Sequence, residues 1–216
     1  MTKKIAPSLM CADLLNLGRD IAQMERLGIE YLHIDIMDGS FVPNYTLGTD
    51  FISAVKQATS IALDLHLMID EPERKLDWFD FGAGDYVSVH WEATKHVQRA
   101  LQKIKDRGAK PMLALNPGTP LCVIEDVRAD IGAVLIMTVN PGFAGQKLVP
   151  QTLDKIKRAR ELYPELEIEA DGNVSFENAR LMSRAGADIF VAGSSSLFMA
   201  GKSLDETVKM LRESIG

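Results

Sequence analysis

The chain has 216 residues, 46% of them hydrophobic and 25% charged, with a formal net charge of −6 at pH 7. This composition is typical of a globular protein with a sizeable core, so we expect one domain over residues 1–216 and neither a disordered nor a fibrous chain. The acidic balance, without any run rich in Lys and Arg, argues against nucleic acid or an anionic membrane as a partner but leaves an anionic small molecule open.

The N-terminal segment MTKKIAPSLM has neither the apolar stretch nor the cleavage signal of a secretory leader. Cys11 and Cys122 are the only cysteines, too few for a disulfide framework. No apolar run approaches the roughly 20 residues that cross a bilayer. We therefore predict a cytoplasmic protein with reduced thiols and no membrane partner.

Short apolar segments recur along the chain, and segments with helical periodicity lie between them. In the first of these helical segments, Leu14, Leu17, Ile21, Met24 and Leu27 fall on one face, and a glycine follows. Alternating strands and helices predict parallel strands, and eight such units indicate a (β/α)₈ TIM barrel, with an open doubly wound sheet as the alternative. The predicted strands are 5–10, 31–37, 61–69, 85–91, 109–116, 132–140, 167–172 and 188–194, and the clearest predicted helices are 13–28, 96–108, 152–163, 177–186 and 203–215.

Ionisable residues alternate with apolar ones in three of the predicted strands. In YLHIDIM, His33 and Asp35 lie on one face of the strand. In DLHLM, His66 lies on the face opposite the leucines, and in EIEAD, Asp171 lies on the acidic face. If the apolar faces pack on the helices, these four side chains converge at the carboxyl ends of the strands, where barrel active sites lie. Two imidazoles and two carboxylates suit zinc, manganese, iron or cobalt better than calcium, although a hydrogen-bonded polar core is an equally simple interpretation.

Three loops rich in small residues follow the last three predicted strands. They read NPGFAGQK (140–147), DGNVS (171–175) and AGSSS (192–196). Backbone N–H groups of such loops bind phosphate in many barrels, particularly after strands seven and eight, although tight turns and helix caps need the same residues. The first loop is long enough to close over a substrate.

Several motifs together resemble the ribulose-phosphate 3-epimerase family: APSLM, HIDIMDGSFVPN, DLHLMI, MTVNPGFAGQK, EADGNV and VAGSSSLF, in that order along essentially the whole chain. The resemblance implies a (β/α)₈ barrel that inverts C3 of a ketose phosphate with one divalent metal per chain. Zinc is the expected ion, with manganese, cobalt, iron or magnesium as alternatives. It also implies a homo-oligomer, either a dimer or a hexamer.

The resemblance assigns a role to each matching residue. It implies metal ligation by His33, Asp35, His66 and Asp171, with Asp35 and Asp171 also acting as the acid/base pair. The implied pocket-lining residues are Met37, Met68 and Met137. The implied substrate contacts are Ser8, His66, Gly142, Phe143, Ala144, Gly145, Gly172, Asn173, Gly193 and Ser194.

The chemistry of C3 inversion explains these residue types. Removing the C3 proton builds negative charge on the neighbouring carbonyl oxygen, and a metal there stabilises a cis-enediolate. Inversion then needs a proton on the opposite face, so Asp35 accepts in one direction while Asp171 donates. Asp38 is expected to hold the following turn, and His90 and Glu92 are expected to lie behind the ligands or at the surface.

Some positions depart from the pentose-phosphate pattern. These are SLMC, GFAGQ, DGNV and GSSSLF, and three of them, SLMC, MTVNPGFAGQ and SSLF, resemble the subgroup that acts on D-allulose 6-phosphate, giving D-fructose 6-phosphate. D-ribulose 5-phosphate is the alternative substrate. A lyase or decarboxylase of the phosphate-barrel type would need an Asp-x-Lys-x-x-Asp run, which HIDIMDG does not contain. A non-catalytic sugar-phosphate-binding barrel is the alternative from another class.

Overall fold

A computed structural model describes residues 2–216 and shows nine strands in one sheet. Eight strands run parallel. The remaining strand, β3, has two residues and is antiparallel to β2. The strands are β1 (Lys4–Pro7), β2 (Tyr31–Asp38), β3 (Tyr45–Thr46), β4 (Ala62–Met68), β5 (Tyr86–His90), β6 (Lys110–Leu115), β7 (Ala133–Met137), β8 (Glu167–Asp171) and β9 (Ile189–Ala192).

The sheet closes on itself into a barrel. Around the sheet the order is β1-β9-β8-β7-β6-β5-β4-β2, and a parallel bridge between Ser8 and His33 joins the two ends. The predicted (β/α)₈ barrel is therefore confirmed, and the open doubly wound sheet is not observed. Parallel register places Asp35 of β2 beside His66 of β4, so residues from different strands lie at the same depth.

Helices cover the outside of the barrel. They are α1 (Leu17–Arg26), α2 (Thr49–Ala58), α3 (Pro72–Lys75), α4 (Val97–Asp106), α5 (Gln151–Leu162), α6 (Phe176–Ala185) and α7 (Leu204–Ile215). Between β6 and β7 the connection is a 3₁₀ run, Leu121–Asp130, in place of an α-helix. Within residues 2–216, no helix combines the length and the apolar character needed to cross a bilayer.

The two faces of each strand divide the core into two layers. Leu32, Ile34 and Ile36 of β2 belong to the outer layer, which also contains Ile21 of α1 and Ile52 of α2. A separate inner cluster of apolar side chains fills the barrel itself and includes Tyr31, Tyr86, Met112, Leu135 and Ile189. The predicted direction of the apolar face of β2 is therefore confirmed.

Two details of the predicted helices are wrong. Residues 13–16 are outside α1, because Asp13 accepts hydrogen bonds from the backbone N–H of Leu15 (3.1 Å) and from the side chain of Asn16 (2.7 Å), which favours a turn. Leu14 is consequently exposed and does not share the buried face of Ile21. The predicted helices also did not include α2, which buries Ile52 and Val55.

Candidate active site

Four ionisable side chains meet near the carboxyl ends of β2, β4 and β8. His33 and Asp35 extend from β2, His66 from β4 and Asp171 from β8, and one ligand atom from each lies within 4.8 Å of the others. Asp35 Oδ1 is 3.4 Å from His33 Nε2 and 3.5 Å from His66 Nδ1. Asp171 Oδ2 is 3.9 Å and 3.4 Å from the same two nitrogens. The structure therefore brings together the four residues that the sequence singled out.

The two imidazoles direct one nitrogen each toward the carboxylates and use the other elsewhere. His33 Nδ1 lies 2.5 Å from Asp64 Oδ2, and His66 Nε2 lies 2.8 Å from Nε2 of His90. In contrast, His33 Nε2 and His66 Nδ1 are buried and have no hydrogen-bond partner within residues 2–216. Two such nitrogens opposite two carboxylate oxygens are the donor set of a divalent transition metal, so the residues fit the ion that the family resemblance implies.

The charges of the cluster shift the pKa values of its members. Burial opposes charge on His33, but Asp64 and Asp35 raise its pKa well above the usual value. Burial likewise opposes ionisation of Asp35, yet His33 and His66 hold the pKa of that carboxyl far below its usual range. The pKa of His66 is raised by Asp171 and Asp35 against the effect of burial. The cluster thus favours cations among its carboxylates, whether protons or a metal ion.

A second acidic pair lies deeper in the barrel, behind His33. Asp64 and Glu169 are both fully buried, and Glu169 Oε1 is 3.5 Å from His33 Nδ1. Burial and the neighbouring Asp64 charge raise the pKa of Glu169 well above its usual value. Asp64 therefore accepts the Nδ1–H of His33 and leaves Nε2 facing the site.

Both candidate acid/base residues are held by neighbouring groups. Ser8 donates a 2.6 Å hydrogen bond to Asp35 Oδ2, which leaves Oδ1 directed at the imidazoles. The backbone carbonyl of Asp171 accepts from the N–H (2.7 Å) and the hydroxyl (2.9 Å) of Thr138. Next to it, a Cβ on Gly172 would lie 2.6 Å from Val139 Cγ2, so only glycine fits there.

A cleft opens above the four-residue cluster, and Asp35 and Asp171 form part of its floor. The predicted pocket methionines Met37, Met68 and Met137 lie in its wall. His66 is fully buried beneath the cleft and does not line it. The other predicted substrate contacts all line the cleft: Ser8, Gly142, Phe143, Ala144, Gly145, Gly172, Asn173, Gly193 and Ser194.

The loop over this cleft is tied down on two sides. Asn44 donates to the carbonyl of Gly142 (2.8 Å), and Asn173 donates to the carbonyl of Gln146 (2.5 Å). Gln146 itself donates to the carbonyls of Asn140 (2.6 Å) and Phe143 (2.9 Å) and so stabilises the bend of the loop. Exposed Phe143 is at its tip. The loop is thus held over the cleft by side-chain hydrogen bonds from outside and within it.

Sequence reasoning missed several residues around the site. Met10 and Cys11 line the cleft. Their motif, SLMC, pointed to a substrate preference but not to a place in the pocket. Asn44 was part of a quoted motif, but only the fold shows that it reaches the loop at 140–147. His90 lies behind His66, as expected, and Asp38 holds its turn by accepting from the N–H groups of Ser40 (2.9 Å) and Phe41 (3.0 Å).

The fold and this cluster define a (β/α)₈-barrel protein with a candidate site for metal-assisted proton transfer. The model of the ribulose-phosphate 3 epimerase family matches residues 4–198. The ribulose-phosphate 3-epimerase of Bacillus subtilis is 47% identical over 196 residues, covering 88% of this chain and 90% of that protein. The enzyme of the same name from Methanocaldococcus jannaschii is 40% identical over 215 residues, covering 97% and 90%. The chain therefore belongs to the ribulose-phosphate 3-epimerase family and is an epimerase, an isomerase.

Solved structures with low sequence identity share the barrel. A 3-hexulose-6-phosphate synthase matches with a TM-score of 0.67 and 19% identity, covering 100% of both chains. KGPDC from Streptococcus mutans matches with a TM-score of 0.71 and 12% identity, covering 99% of this chain and 97% of that one. At these identities the likeness supports the fold alone.

Proposed function

We propose that the protein is a metal-dependent 3-epimerase that interconverts D-ribulose 5-phosphate and D-xylulose 5-phosphate. The observation that carries this proposal is the convergence of His33, Asp35, His66 and Asp171 beneath a cleft with a small-residue loop at its rim. The names of the relatives support the pentulose substrate. The phosphate is proposed to bind where Gly172, Asn173, Gly193 and Ser194 line the cleft.

In this proposal the chain's own carboxylates move the proton. Asp35 extends from β2 and Asp171 from β8, with β1 and β9 between them, so the two groups approach a bound sugar from different directions. Asp35, whose pKa is held low, is the acceptor, and Asp171 is the donor in the same direction. His33, Asp35, His66 and Asp171 would hold a divalent ion, which would supply Lewis-acid stabilisation of negative charge next to C3.

The surrounding residues orient the reacting groups and exclude water from them. Ser8 orients Asp35 through its hydroxyl. Met37, Met68 and Met137 offer soft apolar surface where the carbanion character develops, which limits access of water. The loop at 140–147 covers the substrate and opens to release the product.

A second candidate substrate is D-allulose 6-phosphate, which would give D-fructose 6-phosphate. The departures in the sequence at Met10, Cys11 and Ala144 favour it, and all three residues line the cleft. The two substrates differ by one hydroxymethylene group, which a pocket discriminates only weakly, so we expect measurable turnover of both. A cytoplasmic location and a homo-oligomer, dimer or hexamer, complete the proposal.

The test is a side-by-side measurement of kcat/KM for D-ribulose 5-phosphate, D-allulose 6-phosphate and the two unphosphorylated sugars. Turnover in D₂O should place deuterium at C3, and each phosphorylated sugar should exceed its unphosphorylated form by about 100-fold or more, because the phosphate contributes binding energy. Label at another carbon would contradict the proposed reaction. Equal rates with and without phosphate would contradict the proposed substrate class.

A further inference from the structure

The imidazole of His66 contacts two different environments through its two nitrogens. Nδ1 lies 3.5 Å from Asp35 Oδ1 and 3.4 Å from Asp171 Oδ2, on the side of the proposed metal. Nε2 lies 2.8 Å from Nε2 of His90, and the two ring planes are inclined by 24° with centroids 5.0 Å apart. The metal ligand is therefore in direct contact with a second, fully buried histidine.

A hydrogen bond between two ring nitrogens requires one donor and one acceptor. His90 Nδ1 faces Glu92 Oε2 at 3.3 Å, and an ionised carboxylate can only accept. The proton of a neutral His90 is consequently on Nδ1, and its Nε2 carries a lone pair. His66 must then donate from Nε2, which leaves the Nδ1 lone pair directed at Asp35 and Asp171.

Glu92 is itself held in place and ionised. Its other oxygen, Oε1, accepts from the backbone N–H of Asn116 (2.9 Å) and from the hydroxyl of Thr119. Burial alone would raise the pKa of Glu92, but the hydrogen bonds from His90 and Thr119 lower it to about 2. Lys155 donates to the carbonyl of Asn116 (2.6 Å) and adds a positive charge near this carboxylate.

The other side of the His90 ring is also covered. The ring of Phe41, in the loop after β2, packs on it with centroids 4.8 Å apart. His90 thus lies between Phe41 and His66, with its Nδ1 held by Glu92. This packing restricts rotation of the ring, so the direction of its acceptor nitrogen is set by the fold.

We infer that His90 and Glu92 are positioning residues that fix the tautomer of His66, so that its Nδ1 lone pair is presented to the divalent metal. The inference rests on the proposed metal site. His90 and Glu92 do not line the cleft and act only through His66. Partners of this kind behind metal-bound histidines typically change metal affinity by about 10–100-fold when removed.

The first test measures the affinity of the metal-free protein for Zn²⁺ by competition with a chromophoric chelator. His90→Phe keeps the aromatic packing but removes the acceptor, and we expect it to weaken binding by about 10–100-fold. His90→Gln restores an acceptor and should recover part of the loss. Tyr86→Phe is the matched control, since it removes a buried hydroxyl from the same strand without touching His66, and its affinity should equal that of the wild type.

Two outcomes of this measurement would overturn the inference. One is an unchanged Zn²⁺ affinity in His90→Phe. The other is an equal loss in His90→Phe and His90→Gln, which would assign the effect to packing of the ring and not to its acceptor nitrogen. A wild-type protein that binds no Zn²⁺ would instead remove the proposed metal site, and the inference with it.

A second measurement does not depend on the folding of any variant. Long-range ¹H–¹⁵N spectra of the zinc-loaded wild-type protein report which nitrogen of each histidine carries the proton. We expect His66 to be protonated on Nε2 and His90 on Nδ1. The opposite tautomer of either ring would overturn the inference, while zinc binding and epimerisation by the same sample would leave the proposed function intact.

Discussion

Charged side chains lie at both ends of the barrel interior, but their hydrogen bonding differs between the two ends. At the amino end of the strands, Lys4 Nζ lies 2.5 Å from Glu167 Oε1, and the hydroxyl of Tyr86 donates to the other oxygen of Glu167. At the carboxyl end, His33 Nε2 and His66 Nδ1 are buried opposite two carboxylates without a hydrogen bond within residues 2–216. The polar groups at the amino end satisfy one another, whereas the four side chains at the carboxyl end could hold a divalent cation.

The largest expected effect comes from the carboxylates at the carboxyl end. Asp35→Asn and Asp171→Asn each remove one proton-transfer group, so we expect kcat to fall by about 10³-fold while the fold is retained. Coupled assays of epimerisation measure this, with circular dichroism as the check on folding. Glu167→Gln makes the same chemical change at the other end of β8 and should leave kcat within about twofold. Near-wild-type turnover in either aspartate variant would refute the two-base assignment.

The next largest effect is expected from removal of the metal, which should affect the carboxyl end of the barrel and not the amino end. Dialysis against a strong chelator is expected to abolish activity and lower the melting temperature, and added Zn²⁺, Mn²⁺ or Co²⁺ should restore both. At a free-metal concentration of about 100 Kd, binding stabilises the folded state by about 3 kcal/mol. Metal analysis of protein prepared without chelator should find about one ion per chain. Full activity in protein shown to be metal-free would contradict the proposed metal site at the carboxyl end.

The amino end should affect stability and not catalysis. Tyr86→Phe removes a hydrogen bond to the Glu167 carboxylate, and we expect the free energy of unfolding to fall by about 1–2 kcal/mol with kcat unchanged. Urea unfolding followed by circular dichroism measures the change. A fall in kcat without loss of stability would show that the two ends are coupled.

The last expected effect, of similar size, concerns acid stability near the carboxyl end. The pKa of Glu92 falls from an ordinary value of 4.5 to about 2 in the folded protein, because hydrogen bonds outweigh burial. Since the folded pKa is depressed, this stabilisation is present above about pH 4.5 and is lost as the pH falls toward 2, an effect of roughly 1–2 kcal/mol after discounting for partial exposure. Unfolding free energies between pH 6 and pH 2 should therefore decline less steeply in Glu92→Gln. An identical slope would show that Glu92 titrates normally.

The sequence predicted the barrel and the four-residue cluster because both depend on local alternation. In β2, apolar and ionisable residues alternate with the period of a strand, so the inward direction of His33 and Asp35 followed once a barrel was inferred. The α2 helix was missed, and Leu14 was assigned to a helix although Asp13 turns the chain there. At Leu14 a local interaction outweighed the periodic pattern.

By itself, the sequence determined the order of strands and helices, the residues that face inward and the family to which the chain belongs. Only the tertiary structure decided which groups meet across the barrel. Ser8 reaches Asp35, Asn44 reaches the loop at Gly142, and His90 reaches His66, each through contacts between different strands or loops. Strand periodicity says which way a side chain points, but the partner it meets depends on barrel closure and strand register, which are set by the packing of the whole chain.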